Sequence, residues 1–259
     1  MKKLILYLLC FCLMTFGSSA RIIEVAPAGA WGVLGISGGV AEEASSGPAY
    51  VAASAKSGYI LSDYPLVIAD VSYDVGDLAI VVFASTIPDY APNEASDGSN
   101  TFTAGTIFNP DAWGAEATFL WCIIGTAKSG ANLNLTRSGT SNMAGVAAVL
   151  VFSGSFSGNP IDIQVAAMTD PASTTIETIS SGALAQASEI LVVAHSAYEN
   201  EPSTTPDGDW TEAIDTEATY SQSLEVQYKI VSSTSSVDND STQSISDYAI
   251  SILGSFKAD

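Results

Sequence analysis

The sequence has few positively charged residues. Of 259 residues, 8 are Lys or Arg and 28 are Asp or Glu, which gives a formal net charge of -20. If Lys2 and Lys3 are removed with the leader described below, 6 basic residues face 28 acidic ones, for a net charge of -22. Because such a surface repels phosphate backbones, we expect no nucleic-acid partner. The simplest role of this acidity is to keep the protein soluble.

Cysteine and histidine are also scarce, with 3 and 1 in the chain. Cys10 and Cys12 lie within the leader, so the mature protein keeps only Cys122 and has no internal disulfide. The single histidine, His195, has no second histidine or cysteine partner for metal binding, and we interpret it as a packed side chain. These shortages predict a protein that is not an enzyme, with no catalytic residues and no cofactor.

Long hydrophobic runs are missing as well. A basic start, the largely apolar stretch of residues 4–16 and the small residues 17–20 are typical of a cleaved signal peptide, here residues 1–20. The alternative, a retained membrane anchor, is disfavoured because crossing a bilayer takes about 20 apolar residues. We therefore predict a protein without a stable membrane anchor, which is secreted to the extracellular space or to a particle surface.

Strand signals dominate the rest of the chain, and helix signals are nearly absent. Short apolar runs are separated by Asp, Gly and Pro, and residues 220–230 alternate between apolar and polar side chains. The pattern predicts an all-β fold, an antiparallel double-sheet jelly-roll sandwich over residues 58–259. Residues 21–57, which are rich in glycine and apolar side chains at their centre, are interpreted as an N-terminal arm.

The sandwich region contains similar segments twice. Residues 77–82 resemble residues 189–194, and residues 147–156 resemble residues 247–256, both of which end in Gly-Ser-Phe. The offset between the segments shrinks from 112 residues to 100, which indicates a duplicated β-unit with unequal loops. We place the two halves at about 58–158 and 159–259.

The order of these segments resembles a known group of modules. The chain resembles β-sandwich modules of phage tail and virion proteins and of secreted bacterial proteins. The resemblance rests on strand motifs that include Gly76-Asp77-Leu-Ala-Ile-Val-Val, Asn159-Pro-Ile-Asp162 and Gly208-Asp-Trp210-Thr. The resemblance implies a jelly-roll fold and a role at a cell or particle surface, such as adhesion, glycan contact or particle building. It implies no reaction, and the leader and the arm are departures from a tail component assembled in the cytoplasm.

One difference between the halves predicts a binding surface. Aligning Ile124 with Ile230 puts Phe119, Trp121 and Ile123 on the face that is polar in the second half. An apolar, aromatic outer face needs a cover, and these three residues are our candidate ligand or interface residues. The cover is the N-terminal arm, a second subunit of a homo-oligomer, or a sugar that stacks on the aromatic rings.

Acidic residues in the second half are candidates for a catalytic or a calcium-binding site. Glu212 and Asp215 are three residues apart and should face opposite sides of a strand, which argues against a glycosidase arrangement. The Asp207-Gly-Asp209 and Asp238-Asn-Asp240 segments fit turns, with Ca²⁺ binding as the alternative.

The sequence therefore predicts a secreted, non-enzymatic surface or particle protein that mediates adhesion, glycan contact or self-assembly. Its partners would be glycans or a cell-surface polymer, copies of itself, or other particle proteins. The alternative is a virion structural or appendage protein of a phage. A degenerate carbohydrate-active enzyme is the weaker alternative, because no set of carboxylates has the required spacing.

Overall fold

The computed structural model describes residues 47–58, 65–85, 87–109, 115–138, 145–197, 204–218 and 222–259. The predicted signal peptide and all but the last part of the predicted arm lie outside these ranges. Within them, every paired strand is antiparallel and no residue is helical, so the all-β antiparallel prediction is confirmed. The described residues contain no helix with the length and apolarity needed to cross a membrane.

In the described ranges, eight strands precede residue 158 and eight follow it, and the first of them lies almost entirely within residues 21–57, the segment predicted to be an arm. In the first half they are β1 (Ala49–Gly58), β2 (Leu66–Tyr73), β3 (Leu78–Ser85), β4 (Glu94–Ser96), β5 (Thr101–Ala104), β6 (Glu116–Ile123), β7 (Lys128–Thr136) and β8 (Gly145–Ser153). In the second half they are β9 (Ile161–Thr175), β10 (Ile179–Ser180), β11 (Ser188–Ala197), β12 (Thr204–Thr205), β13 (Thr211–Ala218), β14 (Gln222–Ser232), β15 (Asp238–Asn239) and β16 (Thr242–Lys257).

The first eight strands form one nearly closed sheet. Its order is β1-β8-β3-β6-β5-β4-β7-β2, and β1 approaches β2 across the remaining gap. Side chains alternate across each strand, so one set fills the interior of the curled sheet. That interior is apolar, with Phe83, Leu120 and Val149 fully buried at its centre.

The second half pairs its strands in a similar order. β11 lies between β14 and β16, as β3 lies between β6 and β8, and β13 continues the sheet beside β14. β9 pairs with β16 as β1 pairs with β8, and β10 pairs with β15 as β2 pairs with β7. The strands that would complete this half, β10, β12 and β15, are only two residues long each.

The two sheets pack face to face around a shared apolar core. Phe256 of β16 meets two rings of β6 edge to face, Phe119 at 5.9 Å and Trp121 at 6.1 Å between ring centroids. Gly254 permits this close approach, because a Cβ there would lie 3.0 Å from the Phe119 ring. The core also takes alternate side chains from the central strands of both halves, namely Leu78, Ile80, Val82, Leu150, Phe152, Ile190, Val192, Leu224, Val226 and Ile252.

The strand pairing corrects the alignment on which the candidate surface was based. Leu78 pairs with Ile123, and Ile190, its counterpart in the sequence repeat, pairs with Ile230. The match for Ile230 is therefore Ile123 and not Ile124. A slip of one residue moves every side chain of a strand to the opposite face.

The predicted outer face is consequently an inner one. Phe119 is fully buried and Trp121 is 6% exposed, and strands of the second half cover both. The sequence suggested the N-terminal arm, a second subunit or a sugar as the cover, and it did not suggest these strands. Ile123 packs at the margin of the same core and is half-buried.

Because Phe256 lies in the shared core, replacing it should destabilise the protein strongly. Phe256→Ala should lower the free energy of unfolding by about 3–5 kcal/mol, because it leaves a cavity between the sheets. Val75→Ala is the control, since Val75 is 67% exposed and should change stability by no more than about 0.5 kcal/mol. Chemical denaturation measures both, and similar losses for the two variants would contradict the packing.

Candidate functional site

The interior of the second half combines an apolar cluster around Leu191, Val193 and Leu253 with a group of buried polar side chains that the described part of the first half lacks. His195 of β11 stands where β3 has Phe83, and both His195 and its neighbour Ser251 on β16 are almost fully buried. The His195 ring contacts Ser251 Oγ through Nδ1 at 2.8 Å and Asn239 Oδ1 through Nε2 at 2.9 Å. Because the amide oxygen only accepts, these contacts assign the ring proton to Nε2, and the Ser251 hydroxyl donates to Nδ1.

A chain of buried side-chain hydrogen bonds continues from Asn239. Its Nδ2 donates to Gln227 Oε1 at 3.0 Å, and Gln227 Nε2 donates to Glu225 Oε1 at 3.0 Å and to Ser241 Oγ at 2.8 Å. Ser241 Oγ donates back to Asn239 Oδ1 at 2.9 Å. We call these residues, with His195 and Ser251, the polar interior. Buried polar groups that are hydrogen-bonded to one another in this way favour one arrangement of the surrounding strands.

Burial sets the charge of both ionisable groups in the polar interior. It lowers the pKa of His195 to about 4, so the imidazole is neutral near pH 7. It also raises the pKa of Glu225 to about 8, against the opposing hydrogen bond from Gln227. Glu225 is 1% exposed and its Oε2 has no hydrogen-bond partner, so this carboxyl group keeps its proton at neutral pH.

A β-bulge brings two more carboxyl groups to this region. β13 pairs Glu212 with Gln227 and Asp215 with Glu225, and the register shifts between Glu212 and Ile214. The extra residue turns Glu212 and Asp215 to the same face, so the prediction that they face opposite sides is wrong. Both are exposed, whereas Glu225 is buried behind them, and burial together with Glu212 raises the pKa of Asp215.

The two acidic turns considered for calcium lie next to each other. The Asp240 backbone N–H donates to Asp207 Oδ2 at 3.4 Å, and Thr178 Oγ1 donates to Asp240 Oδ1 at 2.5 Å. Asp209 forms an ion pair with Lys229 at 3.5 Å. No group of three or more His, Cys, Asp or Glu side chains in the described ranges is arranged to hold a metal ion.

A groove of about 480 Å³ borders two of the residues predicted from the sequence. It lies between β5, β6 and the segment that precedes β9. Its lining is uncharged and consists of Thr101, Thr103, Trp121, Cys122, Ile123, Gly158, Asn159 and Pro160. Thr101, Thr103 and Asn159 are exposed, so they offer two hydroxyls and an amide beside an apolar floor.

The aromatic packing differs between the two ends of the shared core. At one end, Tyr50 stacks on Tyr228 at 4.6 Å between centroids and meets Phe152 edge to face at 5.8 Å. At the other, Ile161 pairs with Phe256 as Tyr50 pairs with Phe152. Isoleucine thus replaces the tyrosine ring, and Trp121, the counterpart of Tyr228, borders the groove.

Two of the three candidate residues predicted from the sequence, Trp121 and Ile123, border the groove, whereas the polar interior was not predicted. The alternation over residues 220–230 puts Glu225 and Gln227 on the polar side of β14, which the sequence pattern predicts to face solvent. The structure buries this side instead beneath the segment around Asn239. No sequence signal distinguished the two cases.

No family model, curated protein or solved structure matches this chain.

The neutral state of His195 predicts a pH dependence. Its folded pKa of about 4 lies below the ordinary 6.5, so its contribution to stability is present above pH 6.5 and is lost as the pH falls through 4. The loss should reach at most about 3 kcal/mol. His195→Gln removes this titration, and the difference between the two unfolding free energies should shrink from pH 7 to pH 4. Parallel pH profiles from denaturant titrations would contradict a neutral buried histidine.

Proposed function

We propose that this protein is a secreted, non-enzymatic surface protein that binds a neutral glycan in the groove beside Trp121 and Ile123. The observation that carries the proposal is the chemistry of the groove. Hydroxyl and amide groups stand beside apolar surface, with no charged side chain in the lining. Uncharged sugars present the same mixture of hydroxyl groups and C–H faces, and binding sites of this kind combine apolar walls with a few polar groups.

The position of the groove favours a preformed binding site. Thr101 and Thr103 belong to β5, and Trp121 and Ile123 belong to β6, so most of the lining is fixed by strand pairing. Trp121 is also held by Phe256 beneath it. A site built on strands spends little free energy on ordering its side chains when the ligand binds.

We further propose that each half is a jelly roll and that the two arose by duplication. The strand order of the first sheet is that of two interleaved four-strand layers, β1-β8-β3-β6 and β2-β7-β4-β5. One local motif also recurs at the start of a central strand. Asp77 Oδ2 accepts from the backbone N–H of Asp74 at 2.9 Å, and Glu189 Oε1 accepts from that of Gln186 at 3.1 Å.

The burial of His195 and Ser251 argues against their use as a catalytic pair. Ser251 and His195 are in contact, as in a nucleophile and its base, but they are 0% and 2% exposed. A catalytic pair must reach its substrate, and this one is enclosed by the rest of its own half. Secretion rests on the leader composition alone.

Self-assembly is the second candidate function. Jelly rolls build viral capsids as well as lectins, so the same strand order is compatible with a virion structural or appendage protein. The two candidates differ in what they require of the isolated protein, namely a glycan ligand in one case and association with its own copies in the other.

Blocking the groove tests glycan binding. The mature protein should bind at least one uncharged glycan on an array, and Thr103→Trp should weaken that binding by tenfold or more because the indole fills the groove. Thr174→Trp is the matched control, since Thr174 is an exposed strand threonine away from the groove, and it should bind like the wild type.

Two results would contradict the proposal. One is a wild-type protein that binds no neutral glycan, and the other is equal binding by the two tryptophan variants. In the first case, sedimentation velocity over a range of protein concentrations tests self-assembly directly.

A further inference from the structure

The edge strand β13 is joined to the rest of its sheet by a boundary that carries several acidic groups. Among the described strands, β14 is its only hydrogen-bonded partner. The strand begins beside Trp210, which is buried. β13 also packs against β1 and the shared core through Ala213 and Ile214. An edge strand hydrogen-bonded from one side still opens more readily than a central one such as β11.

Glu225 sits at the middle of that boundary, and its hydrogen bonds do not fully replace the solvation that it loses on burial. Gln227 donates to its Oε1, and the Thr204 side chain also favours the ionised form, but these contacts do not outweigh burial, and Oε2 has no hydrogen-bond partner at normal distance. Opposite it on β13 stands Asp215, and Glu212 lies on the same face because of the bulge. On the other side of β14, His195 pairs with Glu225 in register and is neutral.

The nearest cation on β14 is engaged elsewhere. Lys229 forms an ion pair with Asp209 at 3.5 Å, and its Nζ lies 5.9 Å from the centroid of the Trp210 ring. An ionised Glu225 would therefore face two carboxylates on β13 and a neutral imidazole on β11. Both the missing solvation and the like charges oppose that state while β13 is in place.

We propose that Glu225 is a proton-dependent latch for β13: the strand is held closed while Glu225 is protonated and is released as the pH rises and Glu225 ionises. Opening the strand admits water to the carboxylate and separates it from Asp215 and Glu212. The device is independent of the groove and of any ligand bound there.

The direction of the pH dependence follows from the burial of Glu225. Its pKa is raised from 4.5 to about 8 in the closed state and returns toward 4.5 when β13 opens. The closed state is thus favoured fully below pH 4.5, and this advantage is lost as the pH rises through 8. The equilibrium constant for opening should increase by up to tenfold per pH unit in this window and level off above it.

Hydrogen exchange on the full-length protein tests the latch. Exchange rates of peptides covering residues 211–218 are measured by mass spectrometry at pH 5.5, 7.0, 8.5 and 9.5 and divided by the intrinsic rates. The corrected opening of β13 should rise at least tenfold between pH 5.5 and 8.5 and should not rise further at 9.5. Peptides from β11 serve as the internal reference.

Glu225→Gln supplies the decisive comparison, because glutamine is close in shape and does not ionise. Its β13 opening should be independent of pH, whatever its absolute stability. The double variant Glu212→Gln/Asp215→Asn alters exposed residues only and should open less than the wild type at pH 8.5. Wild-type opening that is the same at every pH, or an unchanged pH slope in Glu225→Gln, would overturn the proposal.

Discussion

The packing of Phe256 against Phe119 and Trp121 is the contact on which the rest of the structure depends. It joins β6 of the first half to β16 of the second and lets two sheets bury a face against each other. Without it, each sheet would expose a broad apolar surface, which soluble proteins avoid. The same contact fixes Trp121 at one end of the core and leaves the groove beside it, while Tyr50 packs onto the opposite end.

The sheets of the two halves differ in the side chains on the face that points away from the shared core. In the first half the curled sheet encloses an apolar core around Phe83 and Leu120. In the second half the equivalent strands carry an apolar cluster around Leu191 and Val193, and beside it His195, Glu225 and Gln227 under Asn239 of β15. Buried apolar side chains contribute stability, whereas a buried polar network contributes specificity and, where its groups ionise, a dependence on pH. Among the described residues, only the second half has such a network in the interior of its sheet.

The strands themselves were predictable, because apolar runs and period-two alternation are local properties. The pairing was harder. Ile124 and Ile123 are both aliphatic, so the sequence could not show which one corresponds to Ile230, and that single residue decided whether Phe119 faces solvent or the core. The bulge before Ile214 could not be predicted from the sequence either, because it depends on the register in which β13 pairs with β14. Burial of Glu225 reflects coverage by distant segments, which alternation does not report.

The aromatic contact of Phe256 with Phe119 and Trp121 joins the two halves into one body. A double-mutant cycle with Phe119→Leu and Phe256→Leu measures this contact directly, by urea denaturation of the two single variants and the double variant. The 5.9 Å edge-to-face geometry predicts a coupling free energy of about 0.5–1.5 kcal/mol. Losses that add to within about 0.3 kcal/mol would contradict the face-to-face packing.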